Sequence, residues 1–396
     1  MQKTYPRVVL HLGKEHSVLR RHPWIFSGAL KLRESGLQSG DVVWVANSNG
    51  DILGTGFYSD GSIAVRLVEF NKTELNATFW HHKLQEAVEL RKQLQLIGEQ
   101  TNVCRLFFGE GDGVPGLILD YYNGHVVMQL HHKGLYTFTE IISLTLQSLF
   151  GAALKSIYLK LESLQKHGHL GNVPADGLIF GTDTAPVWVN ENGHSFLVDR
   201  ITGQKTGFFI DQRDNRALVK NHSKARHVLN AFAYTGGFSV YAAAGQAGSV
   251  TSVDVSKPAM EACKHNFERN ALQAGSYITA DVFDVLREQA ALHNLIILDP
   301  PAFAKHRSSK HQAVTAYKRL NTIAMKHAPK NSLLFTFSCS GVVDRNLFYN
   351  TIISAALESH RSIQIMQHLM QGADHPVLPQ FPEGDYLKGL MIWIKD

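Results

Sequence analysis

The sequence predicts an α/β protein: a C-terminal Rossmann-like sheet preceded by a small β-barrel and a central α+β domain. Three observations carry that expectation. From about residue 227 onward, strand-like and helix-like patterns alternate, the order that builds a doubly wound parallel sheet. Within that stretch, LIILDPPAF at 295–303 and NSLLFTFSCSG at 331–341 are apolar runs too short for helices that stop at Pro or Gly, as interior parallel strands do. The first 72 residues instead show short strand-like runs broken by Gly40, Gly50 and Gly61, the spacing of a small barrel.

The expected domains are 1–72, 73–185 and 186–396. In the first, RVVLHL, DVVWVAN and IAVRLVEF read as strands, and LRRHPWIFSGAL sets Arg20, Arg21 and His22 beside Trp24 and Phe26. Basic residues next to aromatics can hold phosphates and stack bases, so Arg20, Arg21 and Trp24 are candidate RNA contacts. The competing reading makes Trp24 and Phe26 core and the arginines solvated. Lys3, Arg7, Lys14, Lys31 and Arg33 extend the basic cluster, against only Glu15 and Glu34.

The middle domain begins with a helical pattern from about 73 to 98, in which Phe79, Leu84, Val88, Leu90, Leu94 and Leu96 recur at three- and four-residue intervals. CRLFFGE follows as a strand, then GLILDYYNGHVVMQLH as a hairpin turning at YNG, TFTEIISLTLQSLF as a helix and SIYLKL as a strand. Asp112 and Asp120, around GVPGL, read as turn residues. At 186–199, PVWVNENGHSFLVD forms a second hairpin around Asn192 and Gly193.

Composition bounds the rest. The chain has 396 residues, 44% hydrophobic and 18% charged, with a net charge of +5, a mild basic excess that suits a polyanionic partner without requiring one. No apolar run approaches the roughly 20 residues that span a bilayer, and MQKTYPRVVLHLGK lacks a signal-peptide core. A cytoplasmic protein with no membrane partner is expected. Cys104, Cys263 and Cys339 match no C-x-x-C spacing, so neither a disulfide framework nor a metal site is expected.

The first strand of the Rossmann-like sheet ends in NAFAYTGGFS at 230–239 and opens a helix near Gly237. A pyrophosphate cradle would need G-x-G-x-x-G there, and Phe232 and Tyr234 stand where glycines would. A cofactor without phosphate needs that close approach less, and S-adenosylmethionine is such a molecule. Asn230, Phe232, Tyr234 and Gly236 are therefore candidate cofactor contacts. Asp254, at the end of the next strand, is placed for the ribose hydroxyls and Asp281, after the third, for the adenine amine.

Asp299 and Cys339 follow adjacent strands on the same rim. A carboxylate beside a thiol suits covalent attack on a heterocycle. Asp299 is a candidate both for the reacting centre and for bordering the cofactor. Ser338, Ser340 and Gly341 make a polar turn around Cys339, whereas Cys104 and Cys263 read as inert buried thiols. His306 and His311, in KHRSSKH, read as substrate-facing or as part of a loop.

With LRRHPWIFSGAL, TGFFIDQRDNR, LNAFAYTGGFSV, LDPPAF, FTFSCSG and DHPVLPQFPEGDYLKGL in view, the whole chain resembles the bacterial 23S ribosomal RNA 5-methylcytosine methyltransferases. Those enzymes carry an N-terminal PUA domain, a central α+β domain and a class I methyltransferase domain. The resemblance implies an RNA-binding PUA fold, S-adenosylmethionine as cofactor, Gln212 and Arg213 at the cofactor's amino-acid end, Cys339 as nucleophile and 23S ribosomal RNA as partner. Oligomeric state is left open, a homodimer included. Many RNA 5-methylcytosine enzymes carry a second cysteine after the Pro of this motif; here Ala302 follows Pro301, which excludes a two-cysteine scheme. Two other classes stay open: methylation of an exocyclic amine of guanine or adenine, which needs no cysteine, and a non-catalytic RNA-binding module.

Overall fold

The structure is a computed structural model that describes residues 4–162, 164, 176–273, 275–304 and 306–396. Lys3 of the basic cluster and Lys305 of KHRSSKH lie outside the described residues. The chain forms two compact units: Met1–Val187 with Asp199–Phe208 and Ala373–Gly384, and Trp188–Val198 with Phe209–Gly372 and Asp385–Asp396.

The first unit opens with strands β1 (Arg7–Leu10), β2 (Trp24–Phe26), β3 (Leu30–Arg33), β4 (Val42–Ala46), β5 (Ile52–Tyr58) and β6 (Ile63–Glu69), with a short helix α1 (His16–Leu19). They form one sheet in the order β2-β6-β5-β4-β1-β3, over a core that includes Val8, Leu10, Ile25, Val43, Val45, Val65 and Leu67. Phe26 is exposed and Trp24 half-buried, so core burial explains Trp24 only in part and Phe26 not at all.

Helix α2 (Ala77–Gln93) starts where Asn76 accepts a hydrogen bond from Phe79 N–H. It stops short of the expected 98 because Gln95 takes a positive φ of 57°, which ends the α-helical ladder. A second sheet follows, with β7 (Val103–Phe108), β8 (Leu117–Tyr122), β9 (His125–Leu130), β10 (Ser156–Lys160) and β11 (Gly177–Phe180) in the order β11-β10-β9-β8-β7, and with α3 (Thr139–Phe150). Trp80, Leu84, Val88, Leu119, Met128, Ile142 and Leu146 share its core. The β8–β9 turn is the expected one, with Asn123 and Gly124 at φ 49° and 94°.

Asp112 and Asp120 are more than turn residues. Arg91, fully buried, donates from both terminal nitrogens to Asp112 at 2.7 Å, and Arg105 pairs with Asp120, which also accepts from Thr206. The carbonyl of Asp374 accepts from Arg91 and its carboxylate from Arg105 N–H, each at 2.8 Å, which fixes the returning segment Ala373–Gly384.

The second unit holds the hairpin β12 (Val187–Glu191) and β13 (His194–Val198), then α4 (Arg213–His222), β14 (His227–Ala231), α5 (Gly237–Ala244), β15 (Ser249–Asp254), α6 (Lys257–Arg269), β16 (Ser276–Thr279), α7 (Val282–Gln289), β17 (Leu295–Leu298), α8 (Lys310–His327), β18 (Ser332–Ser338), α9 (Arg345–Glu358), β19 (Ile363–Leu369) and β20 (Lys388–Ile394). The sheet order is β16-β15-β14-β17-β18-β20-β19. One strand of the otherwise parallel sheet is reversed: β20 runs antiparallel to both β18 and β19. The β18 residues are buried throughout, as an interior strand requires, and so are those of β17.

Candidate active site

The turn after β14 is built by backbone conformation. Phe232, Tyr234 and Gly236 take positive φ values of 61°, 47° and 80°, so two aromatics hold the left-handed geometry that glycines would adopt at less cost. The sequence shows their side chains and not this backbone. At Gly236 a Cβ would lie 2.2 Å from Cys263 Sγ, so conformation and space both demand glycine. Tyr234 N–H and Ser256 N–H each donate to the Asp254 carboxylate at 2.9 Å, which locks the ends of β14 and β15 together. Asn230 is buried beneath the turn, its amide donating to Ser239 Oγ at 2.8 Å, so it supports the turn rather than facing the rim.

Asp281 is exposed and caps α7, accepting from Phe283 N–H at 2.7 Å with one carboxylate oxygen. Gln212 and Arg213, both buried, stand at the start of α4. Gln212 Nε2 donates to Asp299 Oδ1 at 3.0 Å, and Asn215 donates to Gln212 Oε1 at 2.6 Å. The structure therefore brings Gln212 to Asp299. Phe209 meets Tyr234 edge-on, centroids 5.2 Å apart.

Behind them lies a buried charge cluster that sequence reasoning missed. Glu191, wholly buried, accepts from Arg216 Nε and Nη2 at 2.8 and 2.6 Å and from Tyr241 Oη at 3.0 Å, with Arg213 Nε 3.7 Å away. Burial opposes the Arg216 charge, and Glu191 more than offsets it, so the guanidinium pKa is raised. An acid beside a hairpin turn carries no signal of this role, because its partners are 22 to 50 residues away.

Asp299 and Cys339 follow β17 and β18, neighbouring parallel strands paired through Leu298 and Thr336. Cys339 is partly exposed, whereas Cys104 and Cys263 are buried, and burial pushes the Cys263 thiol up to about 12. Ser340 Oγ donates to Ala304 O at 2.7 Å, tying the thiol's turn to the loop after Asp299. Tyr317, buried and edge-on to Phe303, has its phenol pKa raised, first by burial, with Cys339 and Asp299 among the nearby charges. Among the described residues no group of three His, Cys, Asp or Glu side chains could hold a metal ion.

The residues fit S-adenosylmethionine. Carboxylates at Asp254 and Asp281 suit hydroxyl and amine donors, and the turn between Asn230 and Gly237 has bulky side chains where a phosphate cradle has none. The S-adenosylmethionine-dependent methyltransferase profile matches residues 104–386 and a PUA-like domain profile matches 8–70. The chain belongs to the S-adenosylmethionine-dependent methyltransferase family. Its cofactor is S-adenosylmethionine.

Relatives named ribosomal RNA large subunit methyltransferase I include one from Pseudoalteromonas translucida, 39% identical over 97% of this chain and 98% of its own. Another, from Alteromonas mediterranea, is 37% identical over 98% and 99%. The crystal structure of SMU.776, described as a methyltransferase complexed with SAH, matches with a TM-score of 0.84 at 23% identity, covering 98% of this chain and 99% of that one, a likeness of fold.

The basic residues of the PUA-like domain are set differently. Arg20 and Arg21 are exposed, with the Arg21 guanidinium 6.0 Å from the centre of the Phe70 ring. Arg33 is engaged with Tyr58 and Asp60. Trp24 donates its indole N–H to Glu110 at 2.8 Å and packs edge-on against Phe381 at 4.7 Å, so it braces its own unit and is not an open stacking platform. Phe26 is exposed. No helix among the described residues is long and apolar enough to cross a membrane.

Proposed function

We propose that this methyltransferase forms 5-methylcytosine in 23S ribosomal RNA through a covalent adduct at Cys339. The observation that carries the reading is the pairing of a partly exposed thiol with a carboxylate at the ends of adjacent strands, Cys339 after β18 and Asp299 after β17. The relatives' name supports large-subunit ribosomal RNA as the substrate.

The Cys339 thiolate adds to carbon 6 of cytosine, and Asp299, held by Gln212, stabilises the ring through its N3 edge. The cofactor supplies an electrophilic methyl group on a sulfonium. Carbon 5 takes that methyl, a base removes the carbon 5 proton, and the carbon–sulfur bond breaks with its electron pair returning to the thiolate. Glu191 and Arg216 fix the start of α4, and with it Gln212 and Arg213, toward the cofactor's amino-acid end. Arg20 and Arg21 supply phosphate contacts that raise RNA affinity.

Mapping 5-methylcytosine in 23S ribosomal RNA from cells with and without the gene tests the reading. Loss of a single 5-methylcytosine in the deletion supports it; an unchanged 5-methylcytosine map with a lost N-methylated purine replaces it with amine methylation.

A further inference from the structure

Beside Cys339 lies a buried lysine that forms no ion pair among the described residues. Lys388 on β20 is 2% exposed and is paired in register with Ser338, the residue before Cys339. Its Nζ donates to the carbonyl of Ser340, the residue after Cys339, at 2.7 Å, and to the carbonyl of Tyr386 at 2.7 Å. The turn that carries the thiol is thus held on both sides by one residue. Among the described residues Lys388 makes no ion pair. An ammonium taken out of water without a counter-ion is costly, so its persistence asks for an anion nearby.

The neighbouring charges are few. Asp385 is engaged by Arg345 in a two-pronged pair at 2.6 and 2.7 Å. Asp344 is exposed and caps α9 through Leu347 N–H. The Tyr317 phenol, raised by burial, stays protonated. Of the described groups around Lys388, Cys339 is the one that can gain a negative charge beside it. Burial first, and Arg345 after it, lower the Lys388 pKa to about 8, while Cys339, Asp385 and Asp344 pull it up.

The geometry points to Lys388 as the positioning residue that holds the Cys339 turn and favours its thiolate over its thiol. The inference rests on Cys339 being the nucleophile. The thiol proton passes to solvent, the thiolate forms opposite the ammonium, and after methyl transfer the same charge favours departure of the thiolate from carbon 6. A neutral residue at 388 could still fill the space, but it could not do this.

Alkylation of the full-length protein by iodoacetamide, followed at the Cys339 peptide by mass spectrometry across the pH range, reads the thiol directly. The wild-type midpoint should fall below the about 8.5 of an ordinary thiol. Lys388→Met and Lys388→Gln should raise it by about one unit or more, seen as an about tenfold slower reaction near neutrality, while Lys388→Arg stays close to wild type. The acid limb of the methylation pH profile should shift in step. A wild-type midpoint at or above that of an ordinary thiol overturns the inference even where a neutral variant does not fold, and so does an unchanged midpoint in the folded neutral variants. Methylation by Cys339→Ala would instead retire the nucleophile reading, and the alkylation midpoints tell the two failures apart.

Discussion

The rim around β14 and β15, proposed to take the cofactor, and the rim around β17 and β18, proposed to carry the nucleophile, are held together by different kinds of contact. Around β14 and β15, the contacts span shorter stretches of chain: Tyr234 N–H reaches Asp254 over 20 residues and Ser256 N–H reaches the same carboxylate over two. Around β17 and β18, Asp299 is held by Gln212 from 87 residues away, and the turn of Cys339 by Lys388 from 48 residues beyond Ser340. Shorter-range contacts shape the proposed cofactor side; longer-range contacts shape the proposed reacting side.

That contrast predicts separable losses. Cys339→Ala should abolish methyl transfer, by about a thousandfold or more, while cofactor affinity measured by calorimetry stays close to wild type. Asp254→Ala should do the reverse in kind, weakening S-adenosylmethionine by roughly 1–3 kcal/mol, the usual cost of losing hydrogen bonds to a charged group. A Cys339→Ala enzyme that loses cofactor binding as well would merge the two sides.

Gly236→Ala sharpens the comparison from the cofactor side. A Cβ there meets Cys263 Sγ at 2.2 Å in a backbone with φ of 80°, so unfolding in denaturant should show a loss of about 2–4 kcal/mol. Wild-type stability in that variant would mean the turn is looser than its geometry.

Lys388 sharpens it from the other side, through pH. Its folded pKa is about 8, lowered chiefly by burial, against roughly 10.4 for a lysine in the unfolded chain. Between those values the unfolded chain holds the proton that the folded chain has released. Stability from this group therefore rises with pH across that window and is flat below it. The wild type should gain about 3 kcal/mol over Lys388→Met as pH rises from below about pH 8 to above about pH 10.4. Parallel stability curves for the two proteins would place Lys388 in water rather than beneath the thiol.

The smallest expected effect lies in the PUA-like domain. Neutralising Arg20 and Arg21 together should weaken RNA binding modestly and flatten its salt dependence by about two contacts' worth, with cofactor affinity unchanged. A full salt slope in that variant makes the pair a solvated face.

The same division explains what could be read from the chain alone. Strand ends, hairpin turns at Asn123 and Asn192, the opening of α5 at Gly237 and the adjacency of Asp299 and Cys339 all follow from local patterns of apolar residues, glycines and turns. The reversed direction of β20 does not, because an apolar strand reads alike in either direction. Glu191, Arg216, Tyr317 and Lys388 carry no local sequence signal, since each is defined by partners far along the chain. Asp112 and Asp120 read as turn residues for the same reason: Arg91 and Arg105 supply their meaning. Phe232 and Tyr234 stand where a phosphate cradle has glycines, yet both keep a left-handed backbone. Side-chain identity does not reveal a φ that the surrounding fold enforces.

The covalent step at Cys339 is the central claim, and RNA carrying 5-fluorocytosine at the target position tests it most directly. Fluorine cannot leave as the proton does, so elimination stalls after methyl transfer and the protein stays bonded to carbon 6. With S-adenosylmethionine present, a methylated protein–RNA adduct should survive denaturation and map by peptide mass spectrometry to Cys339. An adduct on another residue, or full turnover of the fluorinated RNA with no adduct, would contradict the account.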